Sequence, residues 1–215
     1  MSGKGSGGAE PSHFDELAET WDTAYRIGRA KTIAEEIRNR LAIGPEDSLL
    51  EFGSGTGLVG FNLLAGVGAL TFIDDSAGMR NVLAEKIALH PEGGKCKVGD
   101  SLFSAELRLG SLDGIYASMV LHHVKDLEGT ALRFRELLKV GGSLCIVDLT
   151  SDDGAYHSHE RGFDGHNGFD PESLSALFGG FGFRERYRDV FYSDARMIAG
   201  SRVDYSLFIL VMETK

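Results

Sequence analysis

The pattern of apolar and polar positions divides the chain into three parts. Residues 1–11, Met-Ser-Gly-Lys-Gly-Ser-Gly-Gly-Ala-Glu-Pro, carry neither the two-residue period of a strand nor the 3.6-residue period of a helix. Their Gly/Ser content predicts a flexible tail, with disorder expected over 1–12 and one folded domain over 13–215. Helical patterns then cover 13–21 and 28–41. In the second, Ile33, Ile37 and Leu41 recur at four-residue spacing and form an apolar stripe, which Gly44-Pro45 ends.

The middle part alternates. Strand-length apolar runs lie at 48–52, 69–73, 95–99, 112–117 and 143–149, and helical patterns at 57–64, 77–89 and 126–138. Ser76 suits the N-cap of the second of these helices, and Gly141-Gly142 is read as the stop of the third. Strands separated by helices need crossover connections, hence a parallel sheet covered on both faces. The last part opens with a polar, glycine- and histidine-rich stretch at 150–169. Asp170-Pro171 starts a helix over 171–178, with proline in the first position. Runs at 184–191 and 203–213, joined by a loop near 193–201 with no helix between them, predict an antiparallel pair.

Composition narrows the function. The chain is 42% hydrophobic and 25% charged, ordinary for a globular domain of 215 residues. It has no run of about 18 apolar residues and no apolar signal-peptide core, so neither a membrane partner nor secretion is expected. A net charge of −10 without a basic stripe disfavours nucleic acid. Cys96 and Cys145, each in a strand-like run, read as buried thiols in a reducing compartment, so a cytoplasmic location is expected. A monomer or homodimer is expected.

After the first strand, Glu51-Phe52-Gly53-Ser54-Gly55-Thr56-Gly57 leads into a helix. Glycines let the chain turn sharply and let a ligand approach the backbone. In open α/β sheets, ligands bind beyond the carboxyl ends of the strands. Gly55-Thr56-Gly57-Leu58-Val59-Gly60 also matches the dinucleotide pattern G-x-G-x-x-G, so the loop alone leaves a nicotinamide-dependent oxidoreductase open.

The wider constellation resembles the class I S-adenosylmethionine-dependent methyltransferases. Glu51-x-Gly53-x-Gly55-x-Gly57 resembles their first motif, and Asp74-Asp75-Ser76-Ala77-Gly78-Met79 their acidic second. Gly99-Asp100-Ser101 is similar to the adenine-contact site, Tyr116 through His123 to the fourth-strand segment, and Leu137 through Leu144 to the lead into the fifth strand. Phe14 through Trp21-Asp22 resembles the opening helix of the ubiquinone/menaquinone-biosynthesis branch. The resemblance implies a Rossmann-like three-layer sandwich. Its sheet would be seven-stranded and mostly parallel, in the order 3-2-1-4-5-7-6, with an antiparallel C-terminal hairpin. It implies S-adenosylmethionine as the cofactor, held by Glu51, Gly53, Ser54, Gly55, Gly57, Asp74, Met79, Asp100, Ser101 and Ser118. Asp74, rather than Asp75, would take the ribose hydroxyls, and Met79 would pack on the adenine. A binding module that keeps this fold without catalysis is the further alternative.

Methyl transfer from a sulfonium is an in-line displacement, so a base is needed only for a protonated acceptor. His122 and His166 are the candidate catalytic residues. The spacing of His157, His159 and His166 matches no zinc motif, and no metal is expected. The segments 13–28, with Trp21 and Tyr25, and 150–169 are expected to form a lid that shapes the pocket of a small-molecule acceptor.

Overall fold

The computed structural model describes residues 12–104, 106–160 and 162–215. The tail expected over 1–12 lies outside them except for Ser12, whose hydroxyl accepts from the Asp15 N–H and caps the first helix. That helix, α1 (His13–Leu17), runs on into a 3-10 turn, Ala18–Thr20. Helix α2 (Ala24–Arg40) starts earlier than its apolar stripe suggests, because Thr23 accepts the Arg26 N–H as its N-cap. Ile33, Ile37 and Leu41 are buried, as their spacing predicts.

There follow β1 (Ser48–Phe52), α3 (Gly60–Leu63), β2 (Ala69–Ile73), α4 (Ala77–Leu89), β3 (Cys96–Gly99), β4 (Leu112–Ser118), α5 (Leu127–Leu137), β5 (Leu138–Leu149), α6 (Pro171–Gly180), β6 (Phe183–Ile198) and β7 (Ser201–Thr214). They form one sheet in the order β3-β2-β1-β4-β5-β7-β6. The first five strands pair in parallel, and β7 is antiparallel to both its neighbours. This is the expected seven-stranded Rossmann-like sheet. It departs from the dinucleotide-binding order 3-2-1-4-5-6 by the antiparallel strand placed between β5 and β6.

Alternate residues of each central strand enter two cores. Leu49, Tyr116, Val147 and Ile209 pack with α2 on one face. Leu50, Ile115, Ile146 and Phe208 pack with α5 and α6 on the other. Burial on both faces explains why these strands read as unbroken apolar runs. Cys145 is fully buried, whereas Cys96, near the sheet edge, is only half-buried; neither is in a disulfide.

Three boundaries differ from the sequence reading. Helix α3 is one turn long and passes into a 3-10 turn, Leu64–Gly66, instead of filling 57–64. Strand β5 begins at Leu138, not Ser143: Gly141 takes φ +73° inside the strand, and the register against β4 shifts between Leu112 and Gly114. The glycine pair therefore serves a bulge and does not stop the helix. The C-terminal hairpin has no loop over 193–201. Ala199 (φ +49°) and Gly200 (φ +84°) make a two-residue turn of the type that continues both strands. No described helix is long and apolar enough to cross a membrane.

Candidate functional site

Phe52, Ile73, Gly99 and Ala117 are register neighbours, so the segments that leave β1 to β4 meet at one edge of the sheet. A cavity of about 670 Å³ lies there, within the range of small-molecule sites. Glu51, Gly53, Ser54 and Gly55 line it from the first loop, and Asp74 and Met79 from the second. Asp100 and Ser101 enter after β3, and Ser118 at the end of β4. Gly57, also expected to hold the cofactor, stands behind the wall, where an added Cβ would meet Leu83 and Phe61.

The loop is shaped from below. The N–H groups of Gly53 and Ser54 both donate to the Ile73 carbonyl, at 2.8 and 3.0 Å. Gly55 has φ +52°, and the nearest atoms to a Cβ there belong to Trp21 and Met79, which line the cavity. A side chain at Gly55 would thus be strained and would fill ligand space. Its N–H donates to Asp74 Oδ2 at 2.6 Å, while Asp74 Oδ1 accepts from Ser76 N–H at 3.0 Å. Asp74 therefore ties the two loops together as well as facing the cavity. Burial pushes its pKa up, and the two backbone donors oppose that. Asp75 also lines the cavity but is exposed, as is Asp100.

Glu51 is 2% exposed and accepts from the Tyr116 hydroxyl at 3.2 Å. Burial raises its carboxyl to about 8, only partly offset by that bond and by the Gly60 N–H. A cationic ligand group beside it would restore the carboxylate. Ser54 Oγ is buried without a hydrogen-bond partner. A polar ligand in the cavity would satisfy it, so donor set and cavity both fit an amino-acid-bearing nucleoside cofactor.

Features that sequence reasoning missed complete the wall. Asp15 in α1 accepts from Ser76 Oγ at 2.6 Å and Gly78 N–H at 2.8 Å, which docks α1 on the start of α4 and holds its own pKa far below the carboxylate range. Asp22 accepts from the Thr56 hydroxyl and, at 2.7 Å, from Lys86 Nζ, whose other bond is to the Thr56 carbonyl. Met119 takes φ +56°, a left-handed conformation costly for a side chain of its size, at the cavity wall. The exposed Phe103 lies on the wall beside Asp100 and Ser101. No periodicity marks Asp15 and Asp22, because each acts through partners distant in sequence.

Trp21 lines the cavity, with the Arg26 guanidinium 3.9 Å over its ring. Tyr25 does not; its hydroxyl pairs with that of Tyr205. No described residue of the 150–169 segment forms cavity wall. That loop reaches the site indirectly, through the histidines. Of these, His123 lines the cavity, whereas His122 and His166 do not. His122 is 2% exposed, with Nδ1 2.5 Å from Asp148 Oδ1. His166 Nε2 pairs with the Val124 carbonyl at 3.0 Å, and its N–H donates to the His122 carbonyl at 2.7 Å. Burial, then the neighbouring His122, lowers His123 to about 3. The histidines that cluster are His122, His123 and His157, not the loop's own His157, His159 and His166.

Residues 50–144 match the family model described as a methyltransferase domain. An uncharacterised methyltransferase of Schizosaccharomyces pombe is 31% identical over a 150-position alignment that covers 61% of this chain and 51% of that protein. The chain thus spans about half the length of this relative. Among solved structures, the methyltransferase in complex with the Haloferax volcanii Trm112 methyltransferase activator has a TM-score of 0.74 at 16% identity, over 96% of this chain and 99% of that one. The geranyl diphosphate C-methyltransferase of Streptomyces coelicolor, solved with Mg2+, geranyl diphosphate and S-adenosyl-L-homocysteine, has a TM-score of 0.70 at 13% identity, over 97% of this chain and 86% of that one. Residues 50–144 thus resemble a methyltransferase domain, and the sheet with its antiparallel β7 gives the chain the fold of these solved structures.

Proposed function

We propose that the protein transfers the methyl group of S-adenosylmethionine to a small-molecule acceptor by in-line displacement. One observation carries this reading: nine of the ten donor-binding residues expected from sequence line a single cavity at the carboxyl ends of four strands. When bound, the cofactor supplies an activated methyl on a sulfonium, so the hard chemistry belongs to it. The chain supplies binding and orientation, which contribute up to roughly 7–11 kcal/mol in favourable cases.

Asp74 would accept the ribose hydroxyls while holding the Gly55 N–H. Met79, Leu102 and Phe103 offer apolar surface for the adenine, and Asp100 an acceptor for its amino group. Glu51 would hold the ammonium, and the ordering of Ser118 and Met119 would fix the methionine end. Neutral His123, edge-on to the Phe14 ring at 5.1 Å, would line the acceptor side. We assign the chain to the ubiquinone/menaquinone-type branch on the segment Phe14 to Asp22, which straps the glycine loop.

The same cavity is lined by Arg26 and Arg29. Among the described residues, neither lies within 4.0 Å of a carboxylate; Arg29 donates to the Tyr156 hydroxyl and Arg26 to the Trp21 carbonyl. Partly buried guanidinium groups without a carboxylate favour anionic ligands. The donor's own carboxylate accounts for one. The other would recognise an acceptor that carries a carboxylate, sulfonate or phosphate.

Calorimetry with S-adenosylhomocysteine tests the donor site. Saturable binding, weakened about 10- to 150-fold by Asp74→Ala, is expected from the loss of a charge-assisted hydrogen bond. Absence of binding, or a fluorescence response to NADH instead, would overturn the assignment. Methyl turnover against paired anionic and neutral acceptors tests the second half. Donor binding without turnover of any acceptor would leave a binding module.

A further inference from the structure

The turn after β4 and the loop 150–169 bring three imidazoles together behind the cavity wall. The ring centroid of His122 is 4.2 Å from that of His123 and 4.9 Å from that of His157, and the last two are 5.6 Å apart. One ring nitrogen from each lies within 4.8 Å of those from the other two. Three imidazoles on one tetrahedral ion have their centres roughly 5 Å apart, since each nitrogen stands about 2.0–2.1 Å from the metal. The rings thus already have the spacing of a three-histidine site.

Two further observations point to a ligand. First, His157 is 4% exposed, and its Nδ1 is buried without a hydrogen-bond partner. Leaving such a nitrogen unpaired costs about 1–3 kcal/mol, which an ion would recover. The ring is held in place by stacking on Phe163, 3.9 Å between centroids and 6° between planes. Second, Asp148 is fully buried in β5 and pairs with His122 Nδ1 at 2.5 Å. Its other oxygen accepts the His122 N–H at 3.3 Å. A carboxylate on Nδ1 fixes the tautomer and leaves Nε2 with its lone pair, the outer-shell arrangement found behind metal-ligating histidines.

We propose that His122, His123 and His157 form a binding site for a divalent transition metal, zinc foremost, with Asp148 orienting His122. An all-imidazole donor set suits zinc and its first-row neighbours and does not suit magnesium or calcium, which take oxygen ligands. Three protein ligands leave a fourth position open, as in catalytic zinc sites. His123 also lines the large cavity, so the ion would adjoin the space proposed for the acceptor.

The test uses the full chain, stripped with a chelator and titrated with zinc by calorimetry and with cobalt(II) by visible absorption. One equivalent of each metal is expected to bind, with the strong visible bands of four-coordinate cobalt. His157→Ala, with its folding checked by circular dichroism because the ring is buried, is expected to weaken binding at least about 100-fold. Asp148→Asn is expected to weaken it about 10–100-fold. His159→Ala and His166→Ala should bind as the parent does. No saturable binding to the parent protein would overturn the proposal whatever the variants do. So would full affinity in His157→Ala, or loss of binding in His159→Ala instead. These readouts do not depend on methyl transfer, so they stand or fall separately from the proposed function.

Discussion

Glu51 is a carboxyl that folding holds in its neutral form. Its pKa rises to about 8 because it lies wholly inside the protein, with Tyr116 as its side-chain donor. An acid whose folded pKa exceeds its unfolded one stabilises the protein fully below the unfolded pKa. That contribution is lost as pH rises through the folded value. Urea unfolding at pH 5, 7 and 8.5 is therefore expected to show a fall of a few kcal/mol across the range, as an order of magnitude. Glu51→Gln should flatten the curve; an unchanged slope in that variant would locate the titration elsewhere. The places of Asp74, Asp100, Gly53 and Gly55 on the cavity wall were legible in sequence because acids at strand ends and glycines at sharp turns are local signatures. Asp15 and Asp22 were not. Their carboxylates matter through Ser76, Gly78, Thr56 and Lys86, contacts that only folding creates.

Elements were legible where the apolar period was long and failed where a glycine changed the rule. The stripe of α2 and the central strands appear as read, since both faces of the sheet are packed. Gly141-Gly142 was read as a stop because a glycine pair ends helices, yet the pairing of β4 with β5 absorbs it as a bulge. The hairpin turn hid in Ala199-Gly200, since alanine does not announce a left-handed position. That position carries a consequence. An L-residue with a Cβ pays roughly 1–2 kcal/mol there, and Asn tolerates it better. Ala199→Asn, at an exposed site, should stabilise the protein by about 0.5–1 kcal/mol. For a chain of this size, a thermal melt would then move up by about 2–4 °C per kcal/mol. A lowered midpoint would contradict the turn geometry.

The large cavity is built from segments that follow four strands, with α1 and Trp21 strapped across them. Ligand binding should therefore stabilise the whole domain. At a hundredfold excess over its dissociation constant, S-adenosylhomocysteine would add about 2.7 kcal/mol, or roughly 5–10 °C in Tm. A melt with the ligand at saturation checks this, and an unchanged midpoint would separate the cavity from the stable core. The order of strands and helices, the glycine loop and the acids at the strand ends follow from local pattern, because propensity, turn chemistry and burial period are written in consecutive residues. Sequence left the dinucleotide alternative open at Gly55–Gly60, and the antiparallel β7 between β5 and β6 weighs against it. The histidines show the converse. The spacing of His157, His159 and His166 pointed to no metal site, but the fold packs His157 against His122 and His123 beside Asp148. Such a meeting depends on how the 150–169 loop packs back against the turn after β4, and no local period encodes it.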